Sequence, residues 1–389
     1  MSTLKVNKIE NTATSNGGIE IDNTGHVKID TLQLPTDGQL SNRNLIINGA
    51  MQVAQRGTEE TGFTASGYQT CDRFQLNIGS LGTWTVQQST VSPDGYSNSF
   101  RVLCTAADAS PAASDNFTID YRVEAQDLQQ IFTDKSAGDT HPLVLSFWVR
   151  STKTGNASID IRQSDNSDRQ FTASYNIAAA NTWEHKVIEI PADNDAVINN
   201  DNGVGLQILW WLNSGSNFTG GSHAAGWEAS TIANRNATNL GVGGAVNDDF
   251  FITGVQLEVG EMATPFEHRS YGDELRLCQR YYEQIKQNGS QFQTLGQGSV
   301  LGTKFYTTLW YRTEKRAVPS VAVSSGAKFE VGLPSSKTNV SADEFYQPGV
   351  SACRMRIELV SGTTNGQAGQ CAFDGNECSN ASINIDAEL

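Results

Sequence analysis

The chain has 389 residues, with 27 Lys+Arg against 42 Asp+Glu and a formal net charge of −15. A counterion-releasing grip on nucleic acid and adsorption to an anionic lipid surface both need basic surface, so neither partner is expected. Hydrophobic residues make up 38 % and charged residues 18 %, with 36 Gly and 9 Pro; this polar, turn-rich composition points to strands rather than to a helical enzyme, in two or three domains.

Residues 1 to about 40 carry short alternating apolar pairs, Leu4/Val6, Ile19/Ile21, Val27/Ile29 and Leu32/Leu34. Turn signals at Asn16-Gly17-Gly18 and Asp22-Asn23-Thr24-Gly25 separate them. A segment this small cannot bury a core alone. Three copies around an axis would supply the missing partners; the alternative is an arm ordered only by docking. Met1 to Gly18 contains no continuous apolar stretch, so no secretory signal is expected, and no run approaches the ~20 apolar residues that span a bilayer. The protein is therefore expected to begin in a cytoplasm. Pro35 and Asp37-Gly38 mark a break. Residues 41–60 follow as a junction containing NRNLIINGAMQVAQRGT (Asn42 to Thr58).

Residues 61–268 read as one all-β domain. Leu143, Leu145, Phe147 and Val149 share a face in LVLSFWV, as do Ile159 and Ile161 in SIDIR, and Ile188 and Ile190 in KVIEI. Leu206, Ile208, Trp210 and Leu212 share a face in LQILWWL, and FFITGVQL closes the set with Phe251, Val255 and Leu257 inward. Long polar loops, Asp193 to Gly203 and Asn213 to Gly244, join the strands. With no intervening helices, so many strands imply a jelly-roll-like β-sandwich.

Residues 269–289 are expected to form a linker helix, from Tyr271 to Gln287, with Asp273 in its first turn and Asn288-Gly289 ending it. Leu275, Cys278, Tyr282 and Ile285 follow a 3-4-3 spacing that would make a seam on a three-fold axis; the alternative is a helix lying on its own domain. Residues 290–389 return to strands and suggest a smaller C-terminal β-domain. In RMRIEL, Met355, Ile357 and Leu359 face one way. Six cysteines show no CxxC pair, which argues against zinc and for free thiols. Cys371 and Cys378, flanking FDGNE, are the one pair placed to face each other across a hairpin.

Two segments carry a resemblance. Asn42 to Thr58 and Phe250 to Ile285 (FFITGVQLEVGEMATPFEHRSYGDELRLCQRYYEQI), in that order, resemble the tail-fibre proteins of tailed bacteriophages, particularly those of marine and cyanobacterial phages. The resemblance implies a homotrimeric, sheet-rich, receptor-binding virion appendage, assembled in the host cytoplasm. It also implies attachment to phage tail or capsid proteins through the N-terminus. The all-β reading is then a trimeric β-rich stem, a jelly-roll-like head, a short helix and a smaller C-terminal domain. The expected ligand is a host surface polysaccharide. A capsid decoration or baseplate protein, or a polysaccharide depolymerase, is the alternative.

No catalytic set, cofactor motif or metal site is expected. GxSxG, HExxH and the P-loop are missing, and the five histidines are scattered. A depolymerase needs two carboxylates roughly 5–9.5 Å apart, and Glu184 with Glu228 is one candidate pair. Asp193, Asp195, Asp201 and Asp248-Asp249 offer oxygens for calcium, but without an EF-hand pattern. Trp84, Trp148, Trp183, Trp210, Trp211 and Trp227 all fall in the middle domain. Trp148 and Trp210 are expected in the core. Trp227, in a Gly/Ser/Ala-rich loop, is the leading candidate for a sugar-stacking platform, with Trp211 second. Loops around Gly362 to Gly369 are the fallback.

Overall fold

Three short strands near the amino terminus, β1 (Lys8–Glu10), β2 (Gly18–Ile21) and β3 (Val27–Ile29), pair antiparallel in that order. Their register aligns Ile9, Ile19 and Ile29 in one cross-strand row. Beyond these strands the computed structural model describes residues 41–287, 293–325, 327–333, 336–341, 344–359, 364–374 and 381–389. Leu4/Val6, Leu32/Leu34 and Cys378 lie outside the described residues. The chain divides into two compact units, Met1–Arg269 and Ser270–Leu389.

The first unit continues through β4 (Glu59–Phe63), β5 (Gly67–Tyr68), β6 (Phe74–Gly79), β7 (Thr83–Ser89), β8 (Ser99–Ala106) and β9 (Asn116–Glu124). Next come β10 (Phe132–Asp134), β11 (Asp139–Thr140), β12 (Leu143–Ser151), β13 (Gly155–Gln163) and β14 (Arg169–Ile177). The last three are β15 (Glu184–Ile190), β16 (Val204–Ser214) and β17 (Asp249–Val259). β10 and β11 form a small hairpin. The others build two six-stranded antiparallel sheets, β15-β12-β17-β8-β7-β4 and β14-β13-β16-β9-β6-β5. Their inner faces meet in one core, with Trp84 against Phe117 (ring centroids 4.1 Å) and Phe147 edge-on to Trp210 (5.8 Å). This is the jelly-roll-like sandwich expected from the period-2 patterns.

One expected facing is corrected. Phe250 and Ile252, not Phe251, join Val255 and Leu257 in the core. The register between β12 and β17 slips between Ser146 and Trp148, where Ser146 faces Gln256 but Trp148 faces Thr253. An extra residue on one strand of a pair is a β-bulge, and it inverts the alternation beyond it. Phe251 is thereby turned to the outer face, under the guanidinium groups of Arg101 (5.0 Å) and Arg150 (4.7 Å).

The junction is also corrected: it belongs to the sandwich. Ile46, Met51 and Val53 are fully buried. β8 pairs only with Asp249 to Ile252 of β17. Alongside the rest of β17 runs Asn44 to Gly49, with Leu45 N donating to Leu257 O and Val255 N to Gly49 O, both at 3.0 Å. A Cβ on Gly49 would stand 2.1 Å from Val255 O, so this approach requires glycine. Asn44 bridges the two segments: Nδ2 donates to Val255 O (3.1 Å), and Oδ1 accepts from Ile46 N (2.9 Å) and Leu257 N (3.1 Å). Arg269 closes the clasp onto the carbonyls of Ile46 and Asn44, and Glu267 accepts from Asn44 N (3.1 Å). The two stretches that carried the resemblance are therefore physical partners as far as Arg269.

Between β16 and β17 the chain makes α1 (Ser216–Thr219) and a 3-10 turn at Ile232–Asn234. The second unit opens with α2 (Tyr271–Gln279), whose N-cap is Ser270; its Oγ accepts from Asp273 N (3.2 Å). Here the expected linker helix to Gln287 is corrected. Tyr282–Lys286 is a strand, β18. The seam dissolves with it. Leu275 and Cys278 stand on the helix, whereas Tyr282 and Ile285 stand on a strand, and Ile285 packs in the unit's own core. Helical spacing lost to long-range pairing, because β18 zips onto the carboxy-terminal strand with Ile285 opposite Ile383.

After β18 come β19 (Gln293–Leu301), β20 (Lys304–Trp310), β21 (Ser320–Val323), β22 (Lys328–Leu333) and β23 (Ser336–Ser341). They are followed by β24 (Glu344–Tyr346), β25 (Ala352–Glu358), β26 (Ala368–Phe373) and β27 (Ser382–Asp386). They form a three-stranded sheet, β18-β27-β21, and a seven-stranded one, β23-β22-β26-β19-β20-β25-β24. Phe305, Phe329, Met355, Ile357, Phe373, Ile383 and Ile385 fill the core. One buried ion pair crosses this unit, with Lys315 Nζ 2.7 Å from Glu283 and both side chains fully enclosed. No helix among the described residues is long and apolar enough to cross a membrane.

Candidate functional site

The tryptophans divide by strand face. Trp84 and Trp210 point into the core. Trp211, one residue on, must point the other way. It is only 3 % exposed, because α1 lies over it with Phe218 at 5.0 Å. Trp211 is therefore covered and offers no platform. Trp227 is half-buried: it packs against Phe171 (6.0 Å), and its indole N–H donates to Pro191 O (2.8 Å). It straps its loop to the sandwich rather than presenting an open ring. Both candidate platform residues are thus taken up by packing.

Trp148, expected in the core, is the correction that matters. It follows inward-facing Phe147 and so faces outward, half-buried, in a depression of about 350 Å³. Tyr96, Phe266, Pro265, His185, Ser146 and Gly254 share the lining. His185 packs on Trp148 (5.2 Å), Tyr96 sits edge-on to Phe266 (5.3 Å), and His268 packs against both Tyr96 (5.5 Å) and Phe266 (4.9 Å).

Local rules explain each wall. Gly254 is the bulge residue, with φ +60°. A Cβ there would lie 2.7 Å from the Tyr96 ring and 3.0 Å from Trp148, so only glycine leaves the rings in place. Phe266 is positioned from β17. Gln256 Nε2 donates to Thr264 O (3.1 Å), Gln256 Oε1 accepts from Glu267 N (2.8 Å), and Glu258 accepts from both the amide (3.0 Å) and the hydroxyl of Thr264. Outward-facing polar residues of the strand thereby fold the following loop back over its own sheet.

Electrostatically the pocket is mild. Burial pushes the Tyr96 phenol up to about 12, so it stays a neutral donor. Partial desolvation, then nearby Lys186, holds His185 below the ordinary imidazole value, so it is neutral at pH 7. The pocket presents apolar ring faces with a few neutral hydrogen-bonding groups.

The outer face of the other sheet is chemically different. Its register places Thr172, Asp160, Leu209 and Asp120 in one row, and Gln170, Arg162, Gln207 and Arg122 in the next. Asp120 accepts from Gln207 (2.7 Å) and Arg122 (3.3 Å). Asp160 faces Arg162 (3.5 Å) and Arg235 (3.9 Å), the latter contributed by the segment after β16. Burial pushes Asp160 up to about 6 against the pull of Arg162 and Arg235, and raises Asp120 as well. The two carboxylates sit two strands apart, about 10 Å between backbones, and both are fully enclosed. Asp160 anchors the covering segment through Arg235, and both carboxylates are closed to a polymer.

The other acids are similarly occupied. Glu184 accepts from the amides of Ala178 and Ala179 and from Lys186 (2.6 Å), while Glu228 accepts from Gln170 (2.9 Å) and Asn234 (2.8 Å). Asp193 is held by Arg169 (2.8 Å), Asp248 by Lys153 (3.2 Å) and Asp249 by Arg101 (3.0 Å). Asp201 accepts from Gly203 N (2.8 Å), and the Asp195 side chain stays exposed. Cys371 is a buried free thiol.

The Trp148 pocket was missed although two signals were present. An interior glycine in FFITGVQL marks a bulge or a close approach. The alternation that puts Phe147 inside puts Trp148 outside. The contributions of Tyr96 and Phe266, 52 and 118 residues away in the chain, had no local signal.

No family model and no curated protein matches the chain. Among solved structures it is similar to the enzymatically active domain of tailspike protein 4 of Bacteriophage CBA120, at 14 % identity and TM-score 0.26, over 56 % of this chain and 21 % of that one. It is similar to TmCBM61 in complex with β-1,4-galactotriose, at 10 % identity and TM-score 0.26, over 56 % of this chain and 99 % of that one. A xylan-binding domain from CBM 22 is similar at 11 % identity and TM-score 0.26, over 52 % of this chain and 97 % of that one.

Proposed function

We propose that this protein is a homotrimeric fibre of a tailed bacteriophage virion that binds a host cell-surface glycan without cleaving it. The observation that carries the binding is the Trp148 pocket. A pyranose ring has an apolar C–H face that stacks on an indole, and its hydroxyls find neutral partners in His185, Ser146 and Tyr96. A shallow neutral pocket of this kind binds weakly, and several copies on one trimer, and several trimers on one particle, raise the avidity. Two sequence features support the virion assignment: the interlocked segments that resemble tail fibres, and a stem too small to bury a core as one copy. The first 40 residues attach the fibre to the tail or capsid.

Affinity electrophoresis of the full-length protein through gels containing bacterial capsular polysaccharide, lipopolysaccharide O-chain, galactan or xylan tests this reading. Retardation by at least one polymer, with no oligosaccharide released on incubation, is expected, together with a three-chain mass in solution. Free migration through every polymer would refute glycan binding. Released oligosaccharides would make the protein a depolymerase, and a monomeric mass at micromolar concentration would remove the fibre.

A further inference from the structure

The outer face of the seven-stranded sheet in the second unit carries an aromatic and cationic cluster that the Trp148 pocket does not use. Trp310, near the end of β20, is 71 % exposed. On the same face, one register position away, Thr308 stands opposite Arg354, and Arg354 opposite Tyr346. The Arg354 guanidinium lies over the rings of Tyr346 (5.6 Å) and Tyr306 (5.9 Å), and Nη1 donates to the Tyr346 hydroxyl (3.2 Å). Two tyrosines therefore hold this arginine upright on an open surface. No carboxylate among the described residues lies within ion-pair distance of it. Farther along the same face, Lys304 is neutralised by Glu358 at 3.3 Å. Ala352, opposite Trp310, and Thr308, opposite Arg354, are the small residues between the indole and the guanidinium in the register. Diagonal neighbours of this kind are about 7–8 Å apart, roughly the width of one sugar ring.

We infer that Trp310 and Arg354 form a second saccharide site, specific for an acidic sugar bearing a ring carboxylate, a uronic acid residue within a polymer. The indole stacks on the C–H face of the ring. The planar guanidinium takes the carboxylate through two parallel N–H donors, a geometry that lysine cannot reproduce. Charge complementarity selects the occupant: an exposed cation with no carboxylate partner among the described residues, on a chain of net charge −15, attracts a carboxylate where the protein as a whole repels polyanions. The inference rests on the reading of this protein as a glycan binder, but it uses a different unit and a different ligand chemistry.

The test is equilibrium binding of the full-length protein to polygalacturonate, alginate, neutral dextran and dextran sulfate, with the wild type, Trp310→Ala and Arg354→Lys. Binding to at least one polyuronate and not to dextran is expected, weakened tenfold or more by Trp310→Ala and by Arg354→Lys. Trp310 is exposed, so its variant should melt with the wild type. Equal binding of dextran sulfate and polyuronate, insensitive to Trp310→Ala, would reduce the site to general polyanion attraction and overturn the inference. So would a change in oligomeric mass on Trp310→Ala, which would make this face a contact between copies. Loss of polyuronate binding in none of the variants overturns the second site alone. Failure of every glycan to bind overturns the parent reading with it.

Discussion

Replacing Trp148 with alanine separates recognition from folding, because this indole is half-buried on the outer face whereas Trp210, in the core, is fully enclosed. Truncating an enclosed tryptophan costs about 3–5 kcal/mol. At Trp148 the outer part of the ring is already solvated and the lost packing is mainly against His185 and Gly254, so the cost scales down to about 1–2 kcal/mol. For a unit of this size each kcal/mol shifts Tm by about 2–4 °C. Trp148→Ala should therefore melt only a few degrees low, and Trp210→Ala about 10 °C low or worse. Binding should show the reverse order. A stacked tryptophan at the centre of a site contributes about 2 kcal/mol, which at 1.4 kcal/mol per decade is about thirtyfold in Kd. Thermal unfolding and affinity electrophoresis on the same preparations give both numbers. If Trp148→Ala lowers Tm by as much as Trp210→Ala, or leaves retardation by every retarding polymer unchanged, the indole is packing and the pocket is not the site.

Gly254→Ala should destabilise by about 1–2 kcal/mol from the left-handed backbone alone, and should weaken glycan binding further because the new methyl group displaces Tyr96 and Trp148; binding that follows the stability loss alone would contradict this. Glu283→Ala strands the enclosed Lys315 ammonium and should cost about 3–5 kcal/mol in the second unit, with most of it recovered in a Glu283→Leu/Lys315→Met double variant; near-UV circular dichroism during chemical unfolding follows this. Asp160 sets a pH dependence whose sign is opposite to that of an ordinary paired carboxylate. Its folded pKa is about 6, above the unfolded value, so its contribution is full at low pH and is lost as pH rises through about 6, a change of about 3 kcal/mol in all. The stability difference between wild type and Asp160→Asn should fall across roughly pH 4 to 6, and a flat difference would show that this carboxyl is not desolvated.

The strand content, the sandwich and most inward faces were legible in the sequence because side-chain direction in a strand alternates locally, so Leu143 to Val149 or Met355 to Leu359 declare their buried side without knowledge of any partner. Local patterning failed wherever a distant segment decided the outcome. The 3-4-3 spacing at Leu275, Cys278, Tyr282 and Ile285 was a valid helical stripe until the carboxy-terminal strand offered Tyr282–Lys286 a ladder. The facing of Phe251 depended on one extra residue at Gly254, and the register slip that creates it exists only against β12. Trp227 and Trp211 looked free because a Gly/Ser-rich loop gives no sign of what it covers; in the fold that segment is pinned by Arg235, Glu228 and α1 over a polar sheet face. Strand content, acidity, dense turns and the concentration of tryptophans in one domain follow from residue order and composition alone. Which tryptophan meets solvent was decided only by the tertiary structure, because exposure depends on every other segment that packs above a side chain and has no period of its own.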